Sequence, residues 1–127
     1  MLDLTIAIPT KNEEKNIGIC LKAIGNNFAK SIAIIDSNST DKTVNIAAKF
    51  GAEIKFFNWN GKYPKKRNWY LENHTPQTEW VLFLDADELI TDKFKKELID
   101  FLPKTKHDAF ELTYTRYFLG KKLCGGY

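Results

Sequence analysis

Three carboxylates in four positions, Asp85, Asp87 and Glu88, follow directly on the apolar pair Phe83-Leu84. Two carboxylates about 4 Å apart repel by roughly 4 kcal/mol at an effective dielectric near 20. A cation relieves that cost, and a hard divalent ion such as Mg²⁺ or Mn²⁺ takes one or two carboxylates together with substrate phosphates. Asp-x-Asp after a buried strand is therefore a seat for a metal–diphosphate, although a solvated turn would carry the same residues. Ala86, between the two aspartates, is small enough to let a ligand approach the backbone.

The cations that would complete such a site stand earlier in the chain. Lys65, Lys66 and Arg67 follow one another, with Lys62 just before them. Arginine suits bidentate phosphate contacts, which singles out Arg67. Trp59, Tyr63 and Trp69 flank the run and could stack on a base or sugar ring; plain packing is as good a reading for each.

These residues need a scaffold, and the chain spells one out. Leu4 to Pro9 is a short β-branched apolar run, as expected of a buried strand. Thr10 and Glu13 then have capping-box spacing, which predicts a helix bearing Ile17, Leu21 and Ile24 and ending at Gly25. Ser31 to Asp36 reads as a second strand. Ser39 or Thr40 would cap the next helix, whose apolar face is Val44, Ala47 and Ala48 and whose stop is Gly51. Ala52 to Phe57 reads as a third strand, and a helix from Pro64 to about Asn73 follows. The stretch 79–86 is a fourth strand, and Thr91 opens a helix through Leu102, stopped by Pro103. Residues 109–120 alternate loosely, as one half-buried strand.

Alternating strands and helices predict an α/β fold, a mostly parallel sheet with helices on both faces. Ligands in such sheets bind beyond the carboxyl ends of the strands. Three polar strand ends meet that condition: Pro9-Thr10 with Asn12 and Glu13, Asp36-Ser37-Asn38, and Asp85-Ala86-Asp87. Strand ends are commonly polar in any protein, and capping alone would account for Thr10 and Ser37.

Composition sets the outer bounds. A chain of 127 residues is the size of one domain, here residues 1–127 without an internal linker or repeat. A net charge of +3 is too small to argue for nucleic acid. Cys20 and Cys124 lack metal-ligand spacing and read as thiols of a reducing cytoplasm. No stretch is long and apolar enough for a membrane span, and the N-terminus has no signal-peptide pattern.

In order and spacing, "IAIPTKNEEKNI", "IIDSNSTDKTVNIAAKFGA" and "WVLFLDADE" resemble family 2 glycosyltransferases of the GT-A, Rossmann-like fold. The run "FFNWNGKYPKKRNWYLE" resembles the subgroup of lipooligosaccharide-core β-1,4-glucosyltransferases. The resemblance implies a nucleotide-sugar site. Pro9, Thr10 and Glu13 would line the nucleotide pocket, Asp36 would meet the base and Arg67 the diphosphate. Asp85, Ala86 and Asp87 match the metal and ribose motif, with Asp87 the direct ligand of Mg²⁺ or Mn²⁺. It also implies a UDP-linked donor, inverting transfer to a saccharide or lipid-linked acceptor in lipopolysaccharide synthesis, and a cytoplasmic protein that touches the inner face of the membrane. The aromatic and basic stretch 117–123 permits such contact.

Two departures matter. The usual "DDGS" is here "DSNS", Asp36 to Ser39, so Ser37 replaces a carboxylate. Family members are about twice this length, and their general base is expected beyond residue 127; His74 and His107, each in a polar loop, are poor substitutes. A donor-binding chain without turnover is therefore the competing reading. Two other folds fit worse. A haloacid-dehalogenase-like phosphatase would need Asp-x-Asp on its first strand and a Gly-Thr-like sequel, where Glu88-Leu89 stands. A response-regulator receiver would need an aspartate ending its third strand, and "AEIKFF" has none.

Overall fold

The computed structural model describes residues 1–58, 66–74, 76–103, 109–111 and 117–120; Arg67, Asn68 and the last two segments are described by backbone alone. Six strands form one sheet in the order β3-β2-β1-β4-β6-β5. They are β1 Leu2–Thr10, β2 Ala29–Asp36, β3 Glu53–Phe56, β4 Trp80–Phe83, β5 Ala109–Glu111 and β6 Tyr117–Gly120. The helices are α1 Ile17–Ile24, α2 Thr43–Lys49, α3 Lys66–Asn73 and α4 Asp92–Phe101. β1, β2, β3 and β4 are parallel, and β6 runs antiparallel to both β4 and β5. The sequence predicts one strand over 109–120; the backbone forms two, because the β4 edge is completed by an antiparallel partner that no local periodicity specifies.

Side-chain alternation along the strands builds two cores. Leu4, Ile6, Ile8, Ile34, Leu82 and Leu84 face α1, α2 and α4. Ala7, Ala33, Ile35, Val81 and Phe83 face α3, where they meet Tyr70 and Leu71. The central strands are apolar on both sides because helices cover both sides. The connectivity explains the division. β1 to β2 to β3 steps outward in one direction, whereas β4 returns to the far side of β1, so a right-handed crossover sends α3 to the opposite face.

Local chemistry sets the helix ends. α1 buries Ile17, Cys20, Leu21 and Ile24, an i, i+3, i+4, i+7 stripe. Cys20 is a thiol in the core, and Cys124 lies outside the described residues. α2 closes with Gly51 at φ +84, its N–H bonded to Ala48 O while the Ala52 N–H reaches Ala47 O. That is a Schellman ending, as the glycine predicts. The face of α2 differs from expectation: Ala47 is buried and Ile46 packs on the core, while Ala48 is exposed. α4 begins as expected, with Thr91 Oγ1 accepting from the Phe94 N–H at 3.1 Å, and it stops just before Pro103.

Candidate functional site

The strand order places a switch point between β1 and β4, where the chain reverses its direction of growth across the sheet. A crevice opens beyond the carboxyl ends of the strands at such a point. Pro9 and Thr10 end β1, Asp36 and Ser37 end β2 beside them, and Asp85 to Asp87 follow β4 on the other side. The structure thus brings the three polar strand ends to one edge.

At the centre is Asp36, paired in register with Thr10 and only 1% exposed. Its carboxylate accepts three hydrogen bonds. The Thr10 hydroxyl donates to Oδ1 at 2.6 Å, the Ser39 hydroxyl to Oδ1 at 2.6 Å, and the Ser39 N–H to Oδ2 at 2.9 Å. Burying a carboxylate is costly unless it is hydrogen-bonded, and these donors meet that need.

Neither of the caps expected around it forms. Thr10 does not cap α1, which starts seven residues later at Ile17 with the Glu13 carbonyl accepting from the Asn16 and Ile17 amides. Ser39 and Thr40 do not cap α2. Asp41 does that work instead, accepting from the Thr43 N–H at 2.9 Å and from the Thr43 hydroxyl. The serine and threonine hydroxyls are spent on holding the site together.

The loops after β1 and β2 are stapled to each other. The Asn12 N–H donates to Ser39 Oγ at 2.8 Å, and the Thr40 N–H donates to Asn12 Oδ1 at 2.8 Å. The Glu13 N–H donates to Thr43 Oγ1 at 2.8 Å, while the Glu13 side chain accepts from Asn16 Nδ2 at 3.1 Å. Asn12 and Asn38 both sit at φ +53, a left-handed conformation that asparagine tolerates better than most residues. Asn38 therefore occupies the place of the glycine in "DDGS" without needing a glycine. Its side chain donates to Asn58 Oδ1 at 2.8 Å, which ties the loop to the end of β3.

Two described cations reach this edge: Lys11, whose Nζ donates to Asn38 O at 2.8 Å, and Lys66, the first residue of α3. The Lys66 Nζ donates to Thr10 O at 2.9 Å. Burial holds its pKa below the ordinary lysine value; the nearby Asp36 charge pulls it up and Lys11 pushes it down. Arg67 lies next to it in the first turn of α3, with its side chain outside the described residues. The basic run is legible in the sequence, and arginine chemistry singles out Arg67 within it. For the contact with β1, position selects Lys66 instead. Lys62, Lys65, Trp59, Tyr63, Pro64 and His107 lie outside the described residues.

Trp69 is not a free stacking platform. Its ring lies 5.0 Å from Phe57 and 5.0 Å from His74, packed on the second core. His74, expected to be exposed, is half-buried in that cluster, with its ring 6.4 Å from Tyr70.

On the β4 side, Asp85 and Asp87 are exposed. Glu88 folds the turn, its carboxylate accepting from the Asp85 N–H at 3.0 Å while the Glu88 N–H donates to Asp85 O at 3.0 Å. Ala86, between the two aspartates, is 4% exposed, and its side chain belongs to the first core. Among the described residues no three His, Cys, Asp or Glu side chains gather into a cation cluster. Two exposed oxygen donors therefore fit an ion that draws its remaining ligands from water and phosphate, as Mg²⁺ and Mn²⁺ do. They do not fit a closed all-protein site.

A family model for "Glycosyl transferase family 2" matches residues 5–125. The SPbeta prophage-derived glycosyltransferase SunS of Bacillus subtilis (strain 168) is 36% identical over 97 residues, covering 75% of this chain and 22% of that protein. An uncharacterized glycosyltransferase of Rickettsia bellii (strain RML369-C) is 33% identical, covering 81% of this chain and 34% of its own length. Among solved structures, S. aureus TarS 1-349 superposes with a TM-score of 0.69 at 26% identity, over 87% of this chain and 35% of that one. Glucosyl-3-phosphoglycerate synthase from Mycobacterium tuberculosis, in complex with Mn²⁺, UDP and glucosyl-3-phosphoglycerate, gives 0.70 at 16% identity, over 94% of this chain and 57% of that one. That likeness shows the fold alone. The chain spans about a fifth to a third of the length of the two curated relatives.

Proposed function

The chain belongs to glycosyl transferase family 2, and on that footing we propose that its strand-end site holds the nucleotide-diphosphate part of a sugar donor. One observation carries the reading. A buried carboxylate, Asp36, is fixed by three hydrogen bonds on one side of the switch point, with Lys66 beside it and the exposed pair Asp85 and Asp87 across from it.

Each group then has a task. A carboxylate offers about four acceptor positions. Three are used on Asp36, and the one left on Oδ2 suits an N–H of the base. Lys66, with Arg67 next to it in sequence, neutralises phosphate oxygens from the α3 side. Pro9, Thr10, Glu13 and Ser37 form the wall between them. Mg²⁺ or Mn²⁺ would be held by Asp87 with Asp85, and when bound it offsets the charge on the departing nucleoside diphosphate. A neighbour of the same fold binds Mn²⁺ and UDP, which supports a UDP-linked donor.

The reaction of the whole protein is inverting transfer. An acceptor hydroxyl forms a bond to the anomeric carbon as the bond to the diphosphate oxygen breaks, and the hydroxyl proton passes to a general base. On this reading the base belongs to residues beyond 127. The stretch "FFNWNGKYPKKRNWYLE" favours an acceptor in bacterial surface glycan, on a saccharide or lipid carrier. No helix among the described residues is long and apolar enough to cross a membrane, and contact of these residues with a lipid-linked acceptor would be peripheral.

A second reading keeps the site and drops the turnover: a donor-binding chain without catalysis. It is favoured by the carboxylates at the strand-end edge, where Asp36 is held by three hydrogen bonds and Asp85 and Asp87 are given to the ion, so that none is assigned as the base. Titrating UDP, GDP and UDP-glucose with Mn²⁺ and then EDTA tests the shared premise. On the whole protein, transfer of glucose from UDP-glucose to an added acceptor hydroxyl, with release of UDP, separates the two readings. Absence of binding by any of the three nucleotides contradicts both.

A further inference from the structure

A second concavity lies at the other end of the sheet, away from Asp36. It has a volume of about 730 Å³ and is lined by Thr5 of β1, the start of β2, Glu53 and Lys55 of β3, the end of α3 with His74, and residues 76–78. Small-molecule sites commonly fall between roughly 300 and 1,000 Å³. Thr5 in its wall and Thr10 at the strand-end site are separated by roughly 17 Å of β1, at about 3.3 Å per residue. Nothing bound there could touch a donor held at Asp36.

The direction of its hydrogen bonds can be worked out. The Thr78 hydroxyl donates to Trp80 O at 2.9 Å, which uses its only proton. The Thr5–Thr78 bond of 2.6 Å must therefore be donated by Thr5, and the Thr5–Ser31 bond of 2.8 Å by Ser31. Thr5 and Thr78 are buried and Ser31 is half-buried. The chain thus runs inward, and the Ser31 oxygen faces the groove with lone pairs only. Glu53 adds acceptors, and Lys55, 3.7 Å from it, adds donors. Tyr70 stays protonated as a further donor, its pKa pushed up to about 12, first by burial and then by the charge of Glu53. His74, held against Trp69 and Tyr70, contributes an aromatic wall.

An anion would meet the acceptor-only Ser31 and the Glu53 charge. A cation would meet Lys55 and Lys30. A ligand whose every polar group both donates and accepts satisfies all of them, and hydroxyl groups do so. We propose that this groove binds a short neutral saccharide segment at a site separate from the donor site. It is a holding site without chemistry, and it stands independently of the donor assignment.

The test is titration of the isotope-labelled chain with maltotriose, cellotriose and, separately, inorganic phosphate, followed by amide NMR shifts. At least one trisaccharide is expected to give saturable shifts at Ser31, Glu53, His74 and Thr78, with a Kd in the millimolar range and none at Ser37 or Asp87. Asn73 and Gln77 are exposed at the rim, so N73A with Q77A should leave the fold intact and weaken binding about tenfold. D36N should leave it unchanged. Saturable shifts from phosphate alone, shifts indifferent to the double variant, or no saturable shift from either trisaccharide would each overturn the proposal.

Discussion

The Thr10 hydroxyl and Asp36 Oδ1 meet at 2.6 Å, joining the carboxyl ends of β1 and β2 through two side chains 26 residues apart in sequence. The bond lies within a buried site whose other donors come from Ser39. The arrangement fixes where a negative charge is presented and leaves little freedom for it to move.

Replacing Asp36 by asparagine removes the charge and turns one acceptor oxygen into a donor facing a donor. Stability should fall by about 1–3 kcal/mol, and UDP affinity by at least about tenfold. Thr10→Val keeps the charge and removes one donor to it, so its stability loss should be similar and its loss of UDP affinity smaller. Urea denaturation and UDP calorimetry on both variants check this. Equal losses of affinity would deny Asp36 a direct part in binding.

Lys66 gives a dependence on pH that runs in opposite directions for stability and binding. Burial lowers its folded pKa below the unfolded value of 10.5. The unfolded chain therefore holds the proton more tightly, and the charged lysine costs stability below the folded pKa. That cost disappears as pH rises through the folded pKa toward 10.5. Diphosphate binding, which uses the charge, should weaken over the same rise. Lys66→Met should match or exceed wild-type stability at neutral pH while binding UDP less tightly, with a flatter alkaline pH profile. A variant that loses stability and keeps its affinity would give Lys66 a structural role only.

Arg67 is predicted to act on phosphate rather than on the base. Arg67→Ala should weaken UDP much more than uridine, by about 1.5–3 kcal/mol for a charge-assisted contact. Calorimetry with both ligands decides it, and equal losses would move Arg67 away from the diphosphate.

Two glycines test the backbone. Gly51 sits at φ +84, and a methyl group there would meet open space, so Gly51→Ala should cost about 1–2 kcal/mol through conformation alone. Gly18 lies in the first turn of α1, where a methyl group would stand at an ordinary 3.6 Å from Ile46 Cγ2. Gly18→Ala should be neutral or stabilising by up to about 1 kcal/mol. Thermal denaturation of the pair reads both signs.

What the sequence made legible was local. The Gly51 stop, the Thr91 cap and the apolar strand runs follow from residues within a few positions of one another, and each forms as expected. What stayed hidden depends on partners far along the chain. Thr10 carries a capping signature, yet Asp36, 26 residues away, takes its hydroxyl. Ser39 looks like a helix cap and serves Asp36 instead. Trp69 looks available for a ligand until Phe57 and His74 close around it. Within 109–120, β6 depends on pairing with β4 and β5 on pairing with β6, which no alternation of their own encodes. The three polar strand ends were readable as a set because their order along the chain, together with a parallel sheet, leaves them one edge to share.

The proposed function rests on Asp85 and Asp87 delivering their charge to a cation that holds a nucleoside diphosphate. Calorimetric titration of UDP into wild type and Asp87→Ala, in Mn²⁺ and then in EDTA, tests this most directly. Binding is expected for wild type in Mn²⁺ alone, lost with EDTA and lost in the variant. UDP binding of equal strength in the variant, or undiminished by EDTA, would contradict it.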